Sequence, residues 1–87
     1  KKMVAKIDKN IKQISTKEAF EILEEPLKYK GNRYIFKEKL DDDKWAWVGF
    51  DNMDGCCWTA QHDKKRVIIL WLSDVIDTTK LEELGGY

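Results

Sequence analysis

The sequence predicts a single small α+β domain, in which an N-terminal helix, about five antiparallel strands in a meander and a short C-terminal helix follow one another. Three observations predict it. An amphipathic segment with an N-cap lies near the start of the sequence. After Pro26, apolar residues recur at every second position. The later segments are joined by turns too short for the crossover connections that parallel strands need. The 87 residues suffice for one domain, so 1–87 is assigned to a single unit. Either a strongly bent sheet or a small SH3-like barrel fits this order.

The first helix is predicted from its N-cap. Ser15 and Glu18 have the spacing of a capping box, in which the hydroxyl accepts from a main-chain amide and the carboxylate reaches back. Pro26 ends the helix, because the residue before a proline disfavours helical geometry. The predicted buried face consists of Ala19, Phe20, Ile22 and Leu23. Upstream, apolar residues at spacings of three and four predict either an amphipathic helix or a docked arm over 1–14: Val4, Ile7, Ile11 and Ile14.

The strands are predicted from period-two alternation and from short apolar runs. They are placed at 27–29, 34–36, 45–50, 56–60 and 67–72. Gly31-Asn32 supplies a tight turn between the first two, which predicts a hairpin. The run at 67–72 is continuously apolar, and its β-branched start favours a strand over a helix. Thr78 or Thr79 then begins the short C-terminal helix.

The charge balance argues against two classes of protein. Lys plus Arg and Asp plus Glu number 16 each, so the formal net charge is zero. A protein whose main task is nonspecific binding to nucleic acid or to anionic lipid is expected to be basic. No apolar run approaches the ~18 residues of a membrane span. The two cysteines are adjacent and poorly placed for a disulfide between them, which predicts a reducing, cytoplasmic location.

Candidate catalytic residues are few. Gly55-Cys56-Cys57-Trp58 resembles the neighbourhood of the nucleophile in papain-like cysteine proteases, but here the cysteines enter a predicted strand instead of opening a long helix. His62 is the only histidine and falls in the next turn. The chain has no pair of zinc-ligand motifs, no calcium loop and no phosphate-binding glycine loop. We therefore predict a protein that is not an enzyme and has no metal or cofactor.

An aromatic-rich sheet surface is the predicted binding site. The strands at 45–50 and 67–72 are apolar on both faces, so the sheet has more apolar area than the predicted helices cover. Exposed tryptophans are frequent anchors of protein interfaces. The prediction is a non-enzymatic binding module that contacts a partner protein or another copy of itself. The predicted contact residues are Trp45, Trp47, Trp58 and Trp71.

Two alternatives remain open. The first is a single-stranded nucleic-acid binder that uses the hairpin at 28–39, whose basic residues are Lys28, Lys30, Arg33, Lys37 and Lys39. The aromatics between them are Tyr29, Tyr34 and Phe36. Strand parity is expected to turn these aromatics toward the core while the basic side chains face solvent, which argues against a stacking platform. The second alternative is a small-ligand pocket lined by Trp45 or Trp58.

One resemblance suggests an origin. The helix opening Ser-Thr-Lys-Glu-Ala-Phe-Glu-Ile-Leu before a compact meander resembles small accessory proteins of bacteriophages and prophages. The Thoeris anti-defence proteins, which sequester signalling nucleotides, are one such group. The resemblance covers 15–24, together with Trp71-Leu72-Ser73 followed by Asp77. The glycine–tryptophan pattern that follows the first helix in that group is missing, so no site residue is carried over. The resemblance implies a phage or prophage protein.

Overall fold

The computed structural model describes residues 10–87, with the main chain alone at Asp42. Within that part of the chain, a four-stranded mixed sheet carries helices on both faces. The strands are β1 (Ile11–Gln13), β2 (Asn32–Lys39), β3 (Trp45–Asn52) and β4 (Trp58–His62). The helices are α1 (Thr16–Glu24), α2 (Lys65–Leu72) and α3 (Thr78–Glu83), and 3₁₀ turns occupy Pro26–Tyr29 and Asp41–Asp43. The predicted α+β class is confirmed.

The sheet topology differs from the predicted meander at its start. β1 runs parallel to β2, and α1 makes the connection between them. β2, β3 and β4 then follow as antiparallel neighbours, so the sheet order is β1-β2-β3-β4. The amphipathic helix or arm predicted over 1–14 falls mainly outside the described residues, and its segment 11–13 is a strand. The prediction of five antiparallel strands behind an N-terminal helix, as a bent sheet or SH3-like barrel, is therefore wrong in these details.

The capping box of α1 is confirmed. The Ser15 hydroxyl accepts from the Glu18 main-chain amide at 3.1 Å, and the Glu18 carboxylate accepts from the Ser15 amide at 3.1 Å. The helix ends at Glu24, just before Pro26, as the proline predicts. These two bonds satisfy amides that have no partner inside the helix, which fixes where α1 begins.

The segment after Pro26 is a 3₁₀ turn instead of the first strand of a hairpin. The buried Asn52 side-chain amide donates to the Pro26 carbonyl at 2.7 Å, and the Gly31 amide donates to the Asn52 carbonyl at 2.9 Å. The end of β3 thereby holds this turn against the sheet. β2 takes β3 as its antiparallel partner, with Lys37 opposite Trp47. Alternation over three residues was too short a pattern to specify a strand.

The run predicted as a strand at 67–72 lies in α2, and this is the largest correction. In a helix, Ile68 and Leu72 are four residues apart and lie on one face, and both are completely buried against the sheet. A continuous apolar run fits a buried helix as well as a buried strand, and packing overrides the β propensity of its first residues. No helix in residues 10–87 is long and apolar enough to cross a membrane.

Each face of the sheet has its own core. On one face, α1 packs on β2 and β3, where the rings of Phe36 and Phe50 meet edge to face with centroids 5.1 Å apart. This core comprises Ala19, Ile22, Tyr34, Phe36, Val48 and Phe50. On the other face, α2 and α3 bury Ile35, Ala60, Ile68, Leu72 and Leu81. The surplus of apolar sheet area predicted around 67–72 is therefore absent, because that segment itself covers the sheet.

Close contact between α2 and β3 depends on a glycine. A Cβ atom at Gly49 would lie 2.7 Å from Ile68 Cγ2 and 3.1 Å from Leu72 Cδ1. We expect Gly49→Ala to lower the free energy of unfolding by about 1–3 kcal/mol, because it overpacks this contact. Urea unfolding measures the change. Thr59→Ala, an exposed position on β4, is the control and should cost no more than about 0.5 kcal/mol. Equal stability of Gly49→Ala and the parent would contradict this packing.

Candidate functional site

The four predicted tryptophans occupy different places. Trp45 is 49% exposed and Trp58 is 61% exposed. Trp45 begins β3 and Trp58 begins β4. Because these two strands are antiparallel, the two tryptophans lie toward opposite ends of the sheet. Trp47 and Trp71 are half-buried. Trp71 packs against the α2–α3 core, and its indole N–H donates to Thr78 Oγ1 at 3.4 Å. The structure thus does not bring the four together, and only Trp45 and Trp47 are neighbours along one strand face.

Two lysines lie over this pair of indoles. Lys37 shares the sheet face of Trp45 and Trp47, and its Nζ lies 4.9 Å and 5.9 Å from their ring centroids. Lys65, at the start of α2, places its Nζ 4.9 Å from the Trp47 centroid. Gln13 Oε1 accepts from that Nζ at 3.0 Å. Each cation–π contact at an exposed site contributes about 0.5–1 kcal/mol. We call Lys37, Trp45, Trp47 and Lys65 the Trp45 surface.

A cavity of about 320 Å³ opens beside Trp45. It lies where β3 begins, β4 ends and the C-terminal residues return to the sheet. The exposed side chains of Leu84 and Tyr87 line it together with Trp45, and Lys44 and Asp63 add one charge of each sign. We call it the terminal cavity. Its remaining lining residues are Leu40, Ala46, Gln61, His62 and Gly85.

His62 ties the wall of the terminal cavity to the sheet. Its side chain is buried, with the residue 7% exposed, and Nε2 lies 2.8 Å from the Leu84 carbonyl oxygen. Nδ1 accepts from the Lys64 main-chain amide at 2.9 Å, an arrangement that fits a proton on Nε2. The Asp63 carboxylate also lies 2.9 Å from Nδ1. Both ring nitrogens contact the main chain, so the side chain links the end of β4 to Leu84 and Lys64.

The C-terminal residue pairs with the outer edge of β4. The Gln61 amide donates to the Tyr87 carbonyl at 2.6 Å, and the Tyr87 amide donates to the Gln61 carbonyl at 3.0 Å. Two residues that exchange both bonds form an antiparallel pair. Gly86 permits this approach, because a Cβ atom there would lie 2.7 Å from the Gln61 carbonyl oxygen. The cavity wall is thus built on main-chain pairing.

Trp58 is oriented by a turn at the other end of β4. Asp54 accepts from the Cys56 main-chain amide at 2.9 Å and from the Trp58 indole N–H at 3.2 Å. These two hydrogen bonds lower the pKa of Asp54 below its ordinary value. The carboxylate therefore stays ionised and holds the exposed indole against the turn. Trp58 is separate from the Trp45 surface.

The cysteines and the histidine do not form a reactive group. Cys56 is exposed and Cys57 is half-buried, both before the start of β4, whereas His62 ends that strand. Burial, reinforced by the negative charge of Asp51, raises the pKa of Cys57, so its thiol is a weak nucleophile at neutral pH. In the described residues, no group of three or more His, Cys, Asp or Glu side chains could hold a metal ion.

Most of the basic residues predicted for nucleic acid have acidic neighbours. The Arg33 guanidinium lies 3.1 Å from Asp74 and 3.6 Å from Asp51. Lys39 lies 3.3 Å from Asp43 and Lys28 lies 3.7 Å from Glu25, while Lys30 follows the 3₁₀ turn outside β2. Tyr34 and Phe36 are buried against α1, as strand parity predicts, and Tyr29 packs against the same core. Of the predicted set, Lys37 is the residue that lies against an exposed indole.

Sequence reasoning missed two features of the surface. A strand at 67–72 gives no reason to place Lys65 over Trp47, and the contact exists because α2 begins at Lys65. Phe20 and Leu23 were predicted to be buried, but they are 59% and 47% exposed. The apolar positions of α1 form two pairs three residues apart, and only Ala19 and Ile22 face the core. The width of this apolar stripe was the available signal, because a short helix on one sheet face cannot bury both pairs.

Comparison with known proteins does not assign the chain to a family. No protein-family model, curated protein or solved structure matches the chain. The phage or prophage origin therefore stays a prediction from the resemblance of residues 15–24. Function has to be inferred from the Trp45 surface, the terminal cavity and the rest of the surface.

The role of His62 can be tested by removing its two hydrogen bonds. We expect His62→Ala to lower the free energy of unfolding by about 1–3 kcal/mol, because it removes a buried side chain and its two hydrogen bonds to the main chain. Hydrogen exchange at the Tyr87 amide should accelerate with it, since the Leu84 carbonyl loses its donor. Asp63→Asn is the control, because it keeps the imidazole and both main-chain bonds. Unchanged exchange at Tyr87 in His62→Ala would show that the histidine does not hold the C-terminal segment.

Proposed function

We propose that this protein is a non-enzymatic binding module that contacts a second copy of itself through the Trp45 surface and the terminal cavity. The observation that carries the proposal is the half-exposed Trp45 indole, which lines the terminal cavity together with the exposed side chains of Leu84 and Tyr87. Tryptophan buries a large area with little loss of side-chain entropy, which makes it a frequent interface anchor. A concave site beside it gives the side chain of a partner a place to insert.

The charges around the cavity favour a second copy over a strongly charged partner. Lys44 and Asp63 line the same cavity with opposite signs, and the chain has a formal net charge of zero. In a dimer with two-fold symmetry, the same surface of each copy forms the contact. Lys44 of one copy can therefore face Asp63 of the other. Neither copy repels the other by net charge. The exposed Leu84 and Tyr87 would then pack against Trp45 of the second copy.

Self-association is tested by sedimentation velocity over micromolar to millimolar concentration. We expect a monomer–dimer equilibrium that Trp45→Ala weakens by about tenfold or more, since it removes the anchor. Trp58→Ala is the matched control, because that tryptophan is more exposed than Trp45 but lies toward the opposite end of the sheet. Lys44→Glu and Asp63→Lys should each weaken the dimer, and the two together should restore it. A monomer throughout this range, or a dimer whose dissociation constant Trp45→Ala does not change, would refute the proposal.

Single-stranded nucleic acid is the second candidate, and one observation favours it. The objection from strand parity applies to Tyr34 and Phe36, but not to Trp45 and Trp47, which share a sheet face with Lys37. An ammonium group and an open indole on one face are what a stacking platform needs. The local charge is weaker support, because Asp41 and Asp43 flank the start of β3.

This candidate is tested with a fluorescein-labelled oligothymidylate in fluorescence anisotropy. Binding should weaken as salt rises, and Lys37→Glu with Lys65→Glu should lower the affinity by about tenfold or more. Each lost phosphate contact should also reduce the salt slope by about 0.7. Lys28→Glu with Lys30→Glu, two exposed lysines at the 3₁₀ turn, is the control because it changes the net charge by the same amount. Absence of binding at low salt, or an equal loss in the control, would exclude this function.

A further inference from the structure

The turn between β3 and β4 contains the one Asp-Gly pair of the chain, Asp54-Gly55. In a flexible chain such a pair rearranges slowly, because glycine has no side chain to obstruct attack by its own nitrogen on the preceding carboxyl group. The Gly55 nitrogen bonds to Asp54 Cγ, and the carboxyl hydroxyl leaves with the amide proton as one molecule of water. The resulting succinimide then takes up one water and opens either to aspartate or to isoaspartate.

The turn requires a glycine at this position. Gly55 has a φ of +86°, in the left-handed region that other residues rarely adopt. A Cβ atom there would also lie 2.7 Å from Leu27 Cδ2. A bulkier residue that would slow the attack is therefore strained here. Any restraint on the reaction has to act on the carboxyl group of Asp54.

The Asp54 carboxylate is exposed, but both of its oxygens accept hydrogen bonds. Oδ1 accepts from the Cys56 main-chain amide at 2.9 Å, and Oδ2 accepts from the Trp58 indole N–H at 3.2 Å. The carboxyl group cannot turn about its Cβ–Cγ bond without breaking one of these contacts. Solvent reaches the group, so hydrogen bonds and not burial restrain it.

The same two bonds favour the unreactive charge state of the carboxyl group. Loss of water needs the uncharged form, because the ionised form carries no hydroxyl that can leave. The Cys56 amide, and after it the Trp58 indole, lower the pKa of Asp54 below its ordinary value. The uncharged form is therefore scarcer at neutral pH than in an unrestrained aspartate.

The two donors depend on different parts of the structure. The Cys56 amide lies two residues beyond Asp54, and a bond of this kind forms within an isolated turn. The indole belongs to β4, where Trp58 is the partner of Asp51 on β3. It is held at Asp54 only while the two strands are paired. The part of the restraint that depends on folding therefore comes from Trp58.

We propose that Asp54-Gly55 is a site of isoaspartate formation and that the Trp58 indole sets the rate of this modification. While the indole N–H holds Oδ2, closure of the succinimide is slow. When the indole leaves, the carboxyl group is free to turn toward the Gly55 nitrogen. Isoaspartate lengthens the main chain of the turn by one carbon. The site is separate from the Trp45 surface, so this proposal does not depend on self-association.

The experiment follows isoaspartate at residue 54 in the full chain during incubation at neutral pH and physiological temperature. Mass spectrometry with electron-transfer fragmentation separates isoaspartate from aspartate. A synthetic peptide of residues 51–58 is the unrestrained reference. We expect the full chain to react at least about threefold more slowly than this peptide. Trp58→Phe keeps an aromatic ring but loses the N–H donor, and it should react at least about threefold faster than the parent.

Two control variants separate this result from a general weakening of the strand. Thr59→Ala alters the next residue of β4 and keeps the indole, and Trp45→Phe removes an indole N–H elsewhere. Both should react at the parent rate. The comparison of parent with peptide does not depend on how any variant folds. The proposal is overturned if the parent reacts as fast as the peptide, if Trp58→Phe matches the parent, or if Thr59→Ala accelerates the reaction as much as Trp58→Phe.

Discussion

The close approach of α2 to the middle of β3 is the contact on which the rest of the structure depends. Gly49 leaves room for Ile68 and Leu72, both completely buried, and no larger residue fits without displacing them. This contact gives the sheet a second covered face. It also holds residues 65–72 as a helix although their composition favours a strand, because a helix can bury two residues four positions apart against a flat surface.

The same contact builds the candidate site. Because α2 lies across the face that bears Trp45 and Trp47, its first residue, Lys65, comes to rest over Trp47 while Lys37 approaches from β2. The helix begins over Trp47 and does not extend over Trp45, the first residue of β3, so Trp45 remains half exposed. Beyond α2, α3 returns the chain to β4, where His62 holds Leu84. The apolar packing of α2 on the middle of β3 thus sets where Lys65 and Trp47 lie at the end of the sheet.

Local signals in the sequence predicted local structure well, and non-local contacts account for what they missed. The capping box at Ser15 and the stop at Pro26 need only neighbouring residues, and both are confirmed. The alternation that turns Tyr34 and Phe36 inward also follows from the strand itself. By contrast, the parallel pairing of β1 with β2 and the helical state of 67–72 depend on residues far away in the chain. The Trp45 surface could be predicted only in part, because the partners of an exposed tryptophan depend on that topology.

The covering of both faces also decides where binding can occur. A sheet that its own helices cover has no broad apolar face to offer, so contact surfaces are confined to its edges and to side chains the helices do not reach. Trp45 lies beyond the reach of α2, and Phe20 with Leu23 lies on the side of α1 that faces away from the core. Narrow surfaces of this kind need an anchor side chain or main-chain pairing to bind at all. In the self-association that we propose, Trp45 is that anchor.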